Sequence, residues 1–155
     1  MAADADFVFD LASLHAAFCE MVPHARALGF ELTDISAAPA SAIIRLPWHP
    51  RLIGNPQTRM THGGAITTLL DSCCGISVFA KLQSPTPIAT LDLRIDSLKA
   101  ALPDRDLFAR AECYRTTRNI AFVRAVAYQD ERDPVASAAA TFMLSTKGAM
   151  LGFTP

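Results

Sequence analysis

Apolar positions recur in three rhythms along the chain, and each predicts a different element. Leu11, Leu14, Phe18 and Met21 lie near helical spacing, so residues ~7–23 are expected to form an amphipathic helix with Pro23 as its stop. From Leu28 to Leu46 the pattern predicts two strands. Phe30, Leu32 and Ile35 precede the turn-like Ala37-Ala38-Pro39-Ala40, and Ile43, Ile44 and Leu46 follow it. Pro47 and Pro50 break the chain, and Gly54 with Asn55-Pro56 marks residues 51–61 as a loop. His62–Leu82 is then apolar for longer than any ordinary strand, which predicts a largely buried helix.

A second break at Pro85–Pro87 introduces period-two alternation. Leu91, Leu93 and Ile95 are expected on one face, with Thr90, Asp92, Arg94 and Asp96 on the other. Leu107–Arg115 alternates in the same way, with Phe108, Arg110, Glu112 and Tyr114 opposite Leu107, Ala109, Ala111 and Cys113. Asn119–Asp130 is a further strand, Asp130–Pro134 its turn, and Val135–Ser145 the last strand. Alanine propensity in Ala136–Ala140 favours helix. Its place after a strand and turn, and the fit of small side chains to a sheet wrapped on a helix, decide for strand. The order of helix, two strands, long helix and four antiparallel strands is α+β. No repeat or linker divides it, so residues 1–155 are read as one domain.

Composition narrows the function. Of 155 residues, 51% are hydrophobic and 19% charged, enough to bury a core and exclude disorder. A net charge of -1 gives no polyelectrolyte signature, so no nucleic-acid partner is expected. No apolar run is expected to reach the ~18 residues of a membrane span, and the acidic start Met1–Asp6 is unlike a basic targeting signal. The expectation is a cytoplasmic protein with no membrane partner. Cys19, Cys73, Cys74 and Cys113 show no zinc or redox spacing and read as small core residues, and the four scattered histidines give no metal pair.

Chemistry concentrates in His62–Asp71. Gly63-Gly64 opens a helix, where unpaired N–H groups and partial positive charge can hold a developing oxyanion. A plain loop-to-helix junction would also use glycine there. Asp71 has apolar neighbours and no nearby basic residue. It needs a compensating partner or a perturbed ionisation, and either suits a general base or nucleophile; a polar cavity would explain it equally well. On a regular helix His62 and Asp71 fall on opposite faces ~13 Å apart along the axis, so a relay between them is not expected. Gly64 and Asp71 share a face but lie ~10 Å apart. Two such helices packed antiparallel across a two-fold axis would bring Gly64 of one near Asp71 of the other, which points to a site shared by a dimer.

These residues resemble the hotdog-fold acyl-CoA thioesterases of the PaaI type. Gly54-Asn55-Pro56, His62-Gly63-Gly64 with Asp71 nine positions on, the strand Ala89–Asp96 and Ala139-Ala140-Thr141-Phe142 carry the resemblance, over roughly residues 28–146. It implies a five- or six-stranded antiparallel sheet around the long helix and a homodimer with a continuous sheet, often paired into a homotetramer. It implies that Asp71 is general base or nucleophile, that the amide of Gly63 or Gly64 polarises the thioester carbonyl, and that Asn55 and Thr90 assist. His62 would shape the loop or take part. The Thr116–Asn119 loop would meet coenzyme A, with Thr117, Arg118 and Asn119 as contacts and Arg118 on a phosphate or simply solvated. Arg59 stands where the family often has glycine; it could narrow the pocket or offer a cation. Ser97 and Lys99 replace a frequent Tyr and Arg.

The expected activity is hydrolysis of a small aryl- or medium-chain acyl-CoA, with no cofactor beyond the coenzyme A of the substrate. Two alternatives stand beside it: a hotdog-fold acyl-thioester hydratase or dehydratase, and a non-catalytic acyl-CoA-binding protein. Phe79, Leu82, Leu98 and Phe153 are candidates for the acyl pocket.

Overall fold

The structure is a computed structural model that describes residues 9–84 and 86–145. The elements are α1 (Leu11–His15), a π-helical turn (Ala16–Glu20), α2 (Pro23–Leu28), β1 (Glu31–Ala37), β2 (Ala40–Leu46), a 3-10 turn (Pro50–Leu52), α3 (Gly63–Leu82), β3 (Ile88–Ser97), β4 (Leu107–Thr116), β5 (Ile120–Tyr128) and β6 (Ala136–Leu144). The strands form one antiparallel sheet in the order β1-β2-β4-β5-β6-β3.

Strand alternation builds the core. Ala40, Ala42, Ile44 and Leu46 of β2 are buried, while Ser41, Ile43 and Arg45 are half-buried on the other face. The α3 side of β4, β5 and β6 is rich in alanine: Ala109, Ala111, Ala121, Ala125, Ala127, Ala136, Ala138 and Ala140 are all buried. Short side chains let the sheet approach the helix. Six strands at ~4.8 Å spacing are wider than a helix of ~10 Å diameter, yet α3 contacts every strand, so the sheet curls around it. The alanine run of β6 is a strand, as its position predicted.

α3 holds Leu69, Leu70, Cys73, Cys74 and Val78 at zero exposure. It is long and apolar enough to span a membrane by length and composition alone. Nine of its 20 residues are buried, and packing against the sheet accounts for their apolar character.

Two expectations need correction. The N-terminal helix is not one helix ending at Pro23. Asp10 caps α1 by accepting from the Ser13 N–H at 2.8 Å, the chain widens into a π turn, and Pro23 opens α2. Proline has a fixed helical φ and no N–H to leave unpaired, so it suits a first helical position. The second correction concerns β3. Its pairing with β6 shifts between Thr90 and Asp92, so Leu91 is the extra residue of a bulge. Leu91 is therefore 54% exposed, and Thr90 lies on the α3 side together with Leu93 and Ile95 rather than opposite them. The start of the expected helix near residue 7, Pro85 and Phe153 lie outside the described residues.

Candidate active site

The loop before α3 is folded back on itself. Ile53 bridges to Thr61, the His62 N–H donates to Leu52 O at 2.8 Å, and the Gly54 N–H donates to Met60 O at 2.9 Å. A Cβ on Gly54 would sit 2.9 Å from His62 Cα, so only glycine permits this approach. Asn55 holds the turn: its Oδ1 accepts from the N–H of Gln57 at 2.8 Å and of Thr58 at 3.4 Å. Arg59 has φ 57, a left-handed conformation in which glycine is the unstrained residue. Its guanidinium grips Asp104 with two bonds of 3.0 and 2.9 Å and lies 5.3 Å from the Trp48 ring centroid. Arg59 is thus committed to the loop that it occupies.

His62 is the N-cap of α3, and its Nδ1 accepts from the Gly64 N–H at 2.9 Å. A Cβ on Gly64 would fall 2.9 Å from that Nδ1, whereas one on Gly63 meets nothing within 4 Å. The structure therefore separates two glycines that the sequence left equivalent. The Gly64 amide is occupied by His62. The Gly63 amide, at the first helical position, has no hydrogen-bond partner among the described residues, and Gly63 is exposed.

Asp71 lies two turns further along α3 and is half-buried. The Thr90 hydroxyl donates to its Oδ1 at 3.1 Å. That bond exists because the β3 bulge turns Thr90 inward. It fixes one carboxylate oxygen and leaves the other for chemistry. Eight residues separate Gly63 from Asp71, ~12 Å of helix rise, so the donor and the carboxylate of one chain cannot meet at one reacting carbon. Between them, Thr67 and Thr68 return their hydroxyls to the carbonyls of Gly63 and Gly64 at 3.1 and 2.9 Å. His24 Nε2 of α2 lies 3.4 Å from Thr68 Oγ1, a neighbour that no pattern in the sequence announced.

The β4–β5 hairpin is pinned by Thr117, whose N–H donates to Ile120 O at 2.7 Å and whose hydroxyl accepts from the Ile120 N–H at 3.1 Å. Asn119 O accepts from the Leu144 N–H at 2.7 Å. Arg118 makes no ion pair among the described residues. Beside it, Tyr114, Arg115, Thr117 and Phe122 line a groove of ≈ 280 Å³.

The cysteines are inert packing. Burial pushes the Cys73 thiol up to about 12 and also raises those of Cys19, Cys74 and Cys113. No cluster of metal-ligating side chains occurs among the described residues. Outside the site, Asp106 accepts from the Trp48 N–H at 2.8 Å and from Arg45 at 2.7 Å, and these bonds hold its carboxyl below the usual range.

Residues 59–136 match the thioesterase superfamily. The medium/long-chain acyl-CoA thioesterase YigI of Escherichia coli strain K12 is 29% identical over 140 residues, which cover 82% of this chain and 88% of that protein. A Pseudomonas aeruginosa protein of solved structure is 39% identical with a TM-score of 0.77, covering 86% of this chain and 98% of that one. A phenylacetic acid degradation-related protein of Ralstonia eutropha JMP134 superposes with a TM-score of 0.69 at 28% identity, covering 79% of this chain and 90% of that one.

Proposed function

This chain belongs to the thioesterase superfamily, and from that premise we propose that it hydrolyses a medium-chain acyl-CoA to the free acid and coenzyme A, at a site completed by a second copy of the chain. Its sheet and central helix are the hotdog fold of that superfamily. The observation that carries the reading is one helix face with a Thr90-held carboxylate at Asp71 and an unpartnered amide at Gly63. Each is half of a hydrolytic site, and their ~12 Å separation calls for a partner.

A two-fold axis passing beside Thr67, midway between the two residues, supplies it. Antiparallel α3 helices then bring the partner subunit's Gly63 level with Asp71. β3 is an edge strand. From Asp92 onward it is regular and has free N–H and C=O groups on one side, which suits antiparallel pairing with its own copy into a continuous sheet. Pairing of such dimers into a tetramer is compatible with this arrangement.

In the complex, the thioester oxygen accepts from the partner subunit's Gly63 N–H and from the positive end of its helix. Asp71 takes a proton from water as the water oxygen attacks the carbonyl carbon. The C–S bond then breaks and the thiolate leaves with that proton. Direct attack by Asp71 would pass through a mixed anhydride to the same products. Thr90 fixes the carboxylate in either route. His62 caps α3, and Asn55 and Arg59 shape the loop that aims it. Arg118, with Thr117 and Asn119, meets the phosphates of coenzyme A. No further cofactor takes part. A straight acyl chain of medium length or longer is supported by the name of the Escherichia coli relative, a medium/long-chain acyl-CoA thioesterase. Hydration chemistry is disfavoured because the Nδ1 of His62 is engaged by Gly64 and not by an acid.

The test is thiol release from straight-chain and aryl acyl-CoAs by the wild type and by Asp71→Asn. Turnover that collapses in the folded variant supports the proposal. Turnover untouched by the variant, or none with any substrate, overturns it.

A further inference from the structure

The open face of α3 continues past Asp71. Four residues on it meets Gly75, and eight residues on Phe79; both are half-buried. Gly75 is the one glycine of this helix beyond its first turn, and nothing in the described fold demands it. Its φ is not left-handed. A Cβ there would meet only Ile88 Cδ1 at 3.7 Å and Phe142 Cε1 at 3.8 Å, ordinary contact distances. Alanine would fit and would favour the helix. Gly75 thus faces Ile88 of β3, two residues before Thr90, and Phe142, the β6 partner of Thr90. Further along the helix, Phe79 leans on Phe18 of the π turn, with ring centroids 4.8 Å apart and ring planes tilted by 42°.

We infer that Gly75 is the floor of the acyl-chain channel and that the Phe18–Phe79 pair is its end. This rests on the hydrolase reading above, because the chain is tethered to a carbonyl held at Asp71. Gly75 lies ~6 Å and Phe79 ~12 Å along the helix from Asp71. An extended alkyl chain with C–C bonds of ~1.5 Å advances somewhat less than that per carbon. About five carbons therefore reach Gly75, and nine or ten reach the phenylalanines. The apolar walls select a straight alkyl chain of medium length. The π turn, an unusual element that recurs at functional sites, is what sets Phe18 against Phe79.

The experiment is kcat/KM against acyl-CoAs of four, six, eight, ten and fourteen carbons, for wild type, Gly75→Ala, Gly75→Val and Phe79→Ala, with the oligomeric state and thermal midpoint of each. In Gly75→Val the ratio of ten-carbon to four-carbon kcat/KM should fall by about 1,000-fold, since about five methylenes lie beyond Gly75 and each one denied burial is worth about fourfold. Gly75→Ala should shift the ratio in the same direction while melting no lower than wild type, and it carries the test if the valine variant fails to fold. Phe79→Ala should raise the fourteen-carbon substrate relative to the ten-carbon one. A chain-length profile that keeps its shape in the folded variants overturns the inference. So does loss of self-association in Gly75→Ala, which would assign the glycine to subunit packing. If the wild type cleaves no acyl-CoA at all, the hydrolase reading itself has failed, an outcome separate from the other two.

Discussion

Gly63→Pro deletes a single hydrogen-bond donor at the position where a helix tolerates the deletion best. Gly63 is the first residue of α3, so its N–H has no intrahelical acceptor to lose. Proline also constrains the residue before it to extended backbone, and His62 already has φ -64 and ψ 134. The built Cβ meets nothing within 4 Å. Stability should therefore move by less than about 1 kcal/mol, and upward if the restricted unfolded chain dominates. Activity should not survive so well. Removing one oxyanion donor costs about 2.7–4 kcal/mol of transition-state stabilisation, a hundred- to thousand-fold in kcat. The assay is steady-state thiol release together with a thermal melt, with Gly63→Ala as the control that adds bulk but keeps the N–H. A folded proline variant that retains kcat within about tenfold of the alanine control refutes the role of this amide. A proline variant that melts far below wild type refutes the reading of the helix start.

Two further outcomes follow from charge and burial. Asp106 has its carboxyl lowered by the Trp48 N–H and Arg45. Its stabilisation is thus complete above the ordinary value of 3.8 and is lost as pH falls through the lower folded value. Asp106→Asn should cost about 1 kcal/mol near neutral pH, discounted because the side chain is 33% exposed, and denaturant melts should show the gap closing in acid. The four cysteines should be silent to an aromatic disulfide reagent at pH 8 in the native protein, and all four should react in denaturant. A thiol that labels in the native protein as fast as in denaturant would contradict their packing.

The sequence showed most where side-chain rhythm alone decides the outcome. β4 follows from period two and the long helix from sheer apolar length, β2 follows from an apolar stretch between a turn and Pro47, and β6 follows from context that outweighs alanine propensity. It showed least where one residue changes partners. The bulge at Leu91 depends on how β3 pairs with β6, so alternation put Thr90 on the wrong face. Its assignment to the site came from resemblance, and the bulge supplies the physical reason. Pro23 reads as a stop or a start by the same chemistry, and only the π turn before it decides. Gly63 and Gly64 are identical letters; the His62 ring, two residues before Gly64, occupies one amide and leaves the other open. Gly75 passed as an ordinary helix residue because its neighbours, Ile88 and Phe142, come from distant strands.

The central claim is that Asp71 works with the amide of another subunit, and mixing disabled chains tests it directly. Asp71→Asn and Gly63→Pro are each expected to be inactive alone. Denatured together in equal amounts and refolded, half of the dimers should be mixed, and each mixed dimer carries one site with an intact Asp71 and an intact partner amide. Thiol release should return to about one quarter of the wild-type rate per chain. If the mixture stays as inactive as its components while refolded wild type recovers, no site is shared between subunits and the account is contradicted.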